Sequence, residues 1–220
     1  MAYNKDKEFE KALKIAKDKL DNISIFDDDL FKHRAKNQFI KIKHEIKEKK
    51  VFYKKAYDLA YNMNIKKDES IYCIVTGDFV FGDFIGAFIQ ENNLDVKELT
   101  IISLSGGKAI YEMFDALIDK KWVNKLNLLL SGYYFRTEKT KHSATITQLE
   151  NLSIKHKDNF NIYYTNTHQK IVLIETNKGG KVVMHGSANL KSSQSLEQFE
   201  INVNNELYDF NYEYFLNLIK

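Results

Sequence analysis

The chain has 220 residues, no proline and one cysteine, Cys73. A lone thiol closes no intrachain disulfide and builds no Cys-rich zinc site. A cytoplasmic location is the expectation that goes with it. Proline is absent while Lys, Asn and Ile are abundant, a pattern of coding bias rather than of physics. Long apolar runs are also missing. The most apolar window, Ile71 to Ile89, is broken by Asp78 and Asp83, so no membrane span is expected. Met1 to Asp6 carry no apolar signal core. Charge of one sign is scarce as well: 33 Lys or Arg face 30 Asp or Glu, a net +3. A 44% hydrophobic fraction with 29% charged residues is ordinary for a soluble globular protein.

What charge imbalance there is lies at the start. Residues 1–50 hold 14 basic and 10 acidic side chains. A cluster at Lys32, Arg34, Lys36, Lys41, Lys43, Lys47, Lys49 and Lys50 could follow a phosphate backbone. Glu45 and Glu48 interrupt it, so a solvated helix face is the plainer reading. The charge permits nucleic acid without demanding it.

The most informative stretch is Thr167-His168-Gln169-Lys170-Ile171-Val172-Leu173-Ile174-Glu175, followed by Gly186-Ser187-Ala188-Asn189. It reads as a β-hairpin. Ile171 to Ile174 is an apolar run of the kind buried on both sheet faces. Thr176 to Gly180 supplies turn chemistry, with two glycines free to take positive φ, and Lys181 to Met184 return. Folding the chain about Lys178 sets His168 opposite Ser187 and Ala188, and Lys170 near His185 and Gly186. Strand periodicity puts His168 and Lys170 on one face. An imidazole, an ammonium, a hydroxyl and an amide then meet at one rim, a group suited to a tetrahedral oxyanion.

His168-x-Lys170, an acid after four more residues, Gly186-Ser187-x-Asn189 and then Gln198-Phe199-Glu200 resemble the signature of the phospholipase D superfamily, the HKD phosphodiesterases. The pattern covers Thr167 to Glu200. Glu175 stands where the family has Asp, and the turn before Gly186 is a few residues longer than usual. The resemblance implies a mixed β-sheet flanked by helices on both faces. It also implies a phosphodiesterase without cofactor or metal, in which one histidine forms a phosphohistidine and a second protonates the leaving oxygen. The chain has one complete motif, so the resemblance implies a homodimer with a shared site, His168 of one subunit attacking and its counterpart acting as acid. Lys170 and Asn189 would bind phosphoryl oxygens, with Ser187 in support. Glu200 is the candidate for orienting an imidazole, and Glu175 for a structural role at the hairpin end. Small single-motif members resemble the nuclease branch, so DNA is the expected substrate. A phospholipid hydrolase or phosphatidyltransferase and an inactive nucleic-acid-binding or structural member are the alternatives.

Elsewhere the pattern predicts a lysine-rich helical segment over residues 1–68 and an α/β domain over residues 69–220. In the second part strands alternate with helices. Strands are expected at Ile71–Thr76, Leu99–Leu104, Leu126–Phe135, Asn161–Tyr164 and Phe199–Val203. Helices are expected at Gly82–Glu91, Ala109–Asp119, Thr145–Leu152 and Tyr208–Lys220. Ser105-Gly106-Gly107-Lys108 reads as a strand-to-helix turn, since Ile102 stands where a Walker loop needs its first glycine. Gly77-Asp78 and Gly82-Asp83 read as helix capping rather than a metal pair. Arg136 ends the third strand, within possible reach of a phosphate. His142 and His156 read as surface residues and His185 as pocket-lining or core.

Overall fold

In the computed structural model the described residues are 56–61, 63, 66–67, 69–75, 79–140, 144–190 and 195–220. The lysine cluster, the helices expected before residue 56, Gly77-Asp78 and His142 lie outside them.

Among the described residues the order is α1 (Ala56–Tyr61), β1 (Ser70–Val75), α2 (Phe81–Glu91), β2 (Val96–Ser103), α3 (Lys108–Asp119) and β3 (Leu126–Ser131). It continues with α4 (Gly132–Thr140), α5 (Ala144–Lys155), β4 (Phe160–Thr165), β5 (Ile171–Thr176), β6 (Lys181–Gly186), β7 (Glu197–Asn202) and α6 (Asn205–Leu218). The strands form one mixed sheet of seven in the order β1-β7-β6-β5-β2-β3-β4. β2, β3 and β4 are parallel; β5, β6, β7 and β1 alternate in direction.

Alternation along each strand separates two cores. Val172 and Ile174 of β5, Ile101 of β2, Leu128 and Leu130 of β3 and Phe199 and Ile201 of β7 face one way. They pack with α1, α2, α3 and α5 through residues such as Leu59, Phe84, Phe88, Tyr111, Phe114 and Leu149. Ile171 and Leu173, with Ile102, Leu129 and Val183, face the other way onto Tyr208 and Phe215 of α6. Both faces of β5 are therefore covered, which is why its run shows no polar alternation. The result is the expected mixed sheet with helices on both faces.

The β5–β6 hairpin keeps the register centred on Lys178: Ile171 pairs with His185 and Leu173 with Val183. Of the two turn glycines only Gly179 takes a positive φ, 79°. Thr176 closes the turn, its carbonyl accepting from Gly179 at 2.9 Å and its hydroxyl from Gly180 at 2.8 Å.

Two local expectations need correction. β3 stops at Ser131, and Gly132 to Phe135, read above as strand, open α4. Tyr133, Tyr134 and Phe135 have strand propensity, but past Ser131 tertiary contacts decide. The Tyr134 hydroxyl donates to the Gly106 carbonyl at 2.6 Å, and the Phe135 ring packs on Tyr164 at 4.1 Å. β5 likewise begins at Ile171, so His168 and Lys170 sit in the preceding loop rather than on a strand face.

Candidate active site

Strand direction builds the site. The carboxyl ends of β1, β2, β3, β4 and β6 share one sheet edge with the amino ends of β5 and β7. Ligands of open α/β sheets bind outside strand carboxyl ends. Residues 166–170 leave β4 at this edge and reach β5 by passing over the ends of β3 and β2. That is three strand spacings, about 14 Å. His168 is the middle residue of the crossing.

The crossing is pinned at both sides. Thr167 is buried, and its hydroxyl accepts from the Gln169 N–H at 3.0 Å. The Lys170 carbonyl accepts from the Gly186 N–H at 3.3 Å, fixing Lys170 opposite Gly186 as the hairpin register requires. Between those pins His168 is exposed, and the Lys170 ammonium donates to the His168 carbonyl at 2.7 Å. The Lys170 side chain is thus folded back onto the backbone of His168.

Gly186-Ser187-Ala188-Asn189 comes up beside them. The Ser187 N–H donates to the Gln198 carbonyl at 2.8 Å, and the Ser187 hydroxyl accepts from the Gln198 N–H at 3.0 Å and donates to the Glu197 carboxylate. Ser187 therefore locks the Gly186 loop to β7. Ala188 and Leu190 are buried, and the Leu190 carbonyl accepts from the Gly82 N–H at 3.0 Å, at the start of α2. Held from both sides, Asn189 keeps its Oδ1 buried with no hydrogen-bond partner. A buried unpaired amide oxygen costs about 1–3 kcal/mol.

Glu200 and Glu175 each face a basic partner of their own. Glu200 lies on β7 opposite His185, and its Oε2 is 3.6 Å from the His185 Nε2. The imidazole next to it is therefore His185, not His168. His185 keeps 42% of its side chain exposed, so it is not a core residue. Glu175 lies toward the far end of β5, seven residues from His168, where Lys97 holds it at 3.0 Å. Extended chain of that length spans about 23 Å. Phe199, between Gln198 and Glu200, points to the opposite face into the rings of Phe81 and Phe84, 4.9 and 5.1 Å away. Its burial anchors the strand that carries Glu200.

Sequence reasoning missed a second polar cluster. His156, read as a surface residue, exposes only 10% of its side chain and bonds Asp115 through Nε2 at 2.6 Å. The Lys155 ammonium joins Asp115 and Asp119 at 2.7 and 2.6 Å. Burial alone would raise the Asp115 carboxyl, but the hydrogen bonds from Lys155 and His156 more than offset it and hold it below the usual range. Asp115, Asp119 and His156 bring three potential ligand atoms within 4.8 Å, with the Lys155 ammonium already among them. The signal available in sequence was the i, i+4 spacing of the two acids on α3. Ser105 to Gly107 is the strand-to-helix turn expected, and Lys108 pairs with Glu112 at 3.5 Å. Asp83 stands in the first turn of α2 without capping it, and burial raises its carboxyl.

No protein-family model and no curated protein matches the sequence. Among solved structures the chain is similar to yeast tyrosyl-DNA phosphodiesterase, with 13% identity, 60% of this chain covered and a TM-score of 0.37. A histidine-to-arginine variant of the yeast enzyme gives 10% identity, 66% coverage and a TM-score of 0.39. The similarity is partial, since the chain spans only 31% and 37% of those two structures. Chemistry has to be read from the residues at the sheet edge.

Proposed function

We propose that the protein is a metal-independent phosphodiesterase that cleaves DNA through a phosphohistidine, in an active site shared by two copies of the chain. The observation that supports this reading is at the sheet edge: the loop carrying His168 and Lys170 is bonded to Gly186, three residues before Asn189, whose amide oxygen is buried without a hydrogen-bond partner. Lys170 and Asn189 bind non-bridging phosphoryl oxygens and stabilise charge that builds up as phosphorus is attacked. Ser187 keeps Asn189 in place by tying its loop to β7.

In the first step a neutral His168 nitrogen bonds to phosphorus while the bond to the leaving oxygen breaks, and a second, protonated imidazole gives that oxygen its proton. In the second step water takes the place of the histidine nitrogen on phosphorus, and the second imidazole receives the proton that water loses. The chain carries one complete set of these motif residues, so the second imidazole is assigned to the counterpart His168 of a twofold-related copy.

The test is cleavage of labelled DNA in EDTA, wild type beside His168→Ala, with sedimentation to give the assembly state. Metal-independent cleavage that is lost in the variant is the expected result. A monomer with full activity would overturn the shared site.

A further inference from the structure

Resting on the phosphodiesterase reading, we propose that the opening of α4, Tyr133 with Arg136, is a subsite for the nucleotide next to the scissile phosphate and selects unpaired strand. α4 starts directly at the end of β3, beneath the crossing that carries His168. Its start is fixed across the edge by the Tyr134 hydroxyl on the Gly106 carbonyl at 2.6 Å.

Two side chains three residues apart, Tyr133 and Arg136, share one face of this helix, whose first turn lies at the same sheet edge. Tyr133 leaves 69% of its surface exposed, among the largest exposures of any aromatic residue described. Arg136 is exposed but folds back along the helix. A Cβ built on Gly132 would lie 3.6 Å from the Arg136 Nη1 and 3.7 Å from the Thr165 carbonyl oxygen. The guanidinium therefore sits at the sheet edge, where β4 ends and the His168 crossing begins. Beside it the Phe135 and Tyr164 rings, tilted at 36° with centroids 4.1 Å apart and the latter 41% exposed, form the wall.

An exposed ring on a rigid helix next to a guanidinium has the chemistry of single-strand recognition: the ring stacks on a base and the cation meets a phosphate. A base can offer its face to Tyr133 only if it is out of a duplex stack. Lipid headgroups have no aromatic plane to stack, so the platform favours a nucleic acid over a phospholipid.

The experiment uses the full chain carrying His168→Ala, so that bound strand is not cut. Affinities are measured by fluorescence anisotropy for a short oligothymidylate, an abasic oligomer of equal length and the matching duplex. The thymidylate should bind more tightly than either of the others. Tyr133→Ala should lower the thymidylate-to-abasic affinity ratio by about fivefold or more, while Tyr133→Phe, which keeps the ring, should preserve it. Arg136→Gln should weaken both single strands together and reduce the salt slope by about one unit. A ratio unmoved by Tyr133→Ala, or a duplex bound as tightly as the single strand, would overturn the subsite. Hydrolysis of bis-p-nitrophenyl phosphate by the chain with His168 intact reads the underlying reaction separately. Hydrolysis without base-dependent binding sinks the subsite alone, and base-dependent binding without hydrolysis sinks the enzymatic reading alone.

Discussion

Gly186 and Phe199 approach each other so closely that a Cβ on Gly186 would lie 2.6 Å from the Phe199 Cα and 2.1 Å from the Gln198 carbonyl oxygen. Both contacts are with backbone, which cannot turn aside as a side-chain tip could. The glycine of Gly186-Ser187-x-Asn189 is thus a packing requirement: it lets β6 close against β7. Gly186→Ala should destabilise the fold by about 2 kcal/mol or more and remove activity with it. Urea unfolding followed by circular dichroism reads the first effect. An alanine variant of wild-type stability would contradict the steric argument.

His168 and Glu175 belong to one sequence motif, but His168 sits in the loop before β5 and Glu175 near the far end of that strand. Glu175→Gln should leave turnover within about twofold of wild type, because it removes only a surface ion pair with Lys97, worth about 1 kcal/mol at most. His168→Ala should reduce turnover to background. Steady-state hydrolysis of bis-p-nitrophenyl phosphate compares the two. A large loss in the Glu175 variant with stability unchanged would bring that carboxylate back into the chemistry.

Cys73 is 1% exposed on β1, and burial pushes its thiol up to about 12. Reactivity needs the thiolate and an open path to it. A disulfide-exchange reagent at pH 8 should leave the native protein unlabelled and modify one thiol per chain after denaturation. Fast labelling of the native state would show that β1 opens.

Asp115 supplies a pH dependence whose sign follows from its partners. Burial opposes its charge, but Lys155 and His156 hold its folded-state pKa below the unfolded value. The stability it contributes is therefore complete above the unfolded carboxylate pKa and is lost as pH falls through the lowered folded value. Asp115→Asn should flatten the fall of stability with acid below about pH 4 while lowering stability at neutral pH. Thermal melts from pH 3 to 7 read both. Parallel profiles for variant and wild type would remove Asp115 from the acid response.

The roles left to single residues differ in how visible they were in the chain. The Ile171 to Ile174 run announced a strand buried on both faces, because a side-chain period of two leaves no polar position when both faces are covered. The hairpin register could be counted from its turn, since a short turn fixes which residues pair. His168, Lys170, Ser187 and Asn189, the residues proposed for the site, flank the open end of that hairpin.

Tertiary structure decided what depends on strands distant in sequence. Tyr133 to Phe135 look like strand and are helix, because Gly106 and Tyr164 offer contacts that intrinsic preference cannot foresee. His156 looks exposed and is enclosed, because Asp115 and Asp119 come from another helix. Glu200 was expected to serve an imidazole and stands beside one, but the β6–β7 register makes it His185. Residues 166–170 have to cross two strands to reach β5, and that crossing lifts His168 off any strand face. Local sequence determined the β5–β6 hairpin and its register. Strand order, which arises from long-range pairing, decided which neighbours meet them at the sheet edge.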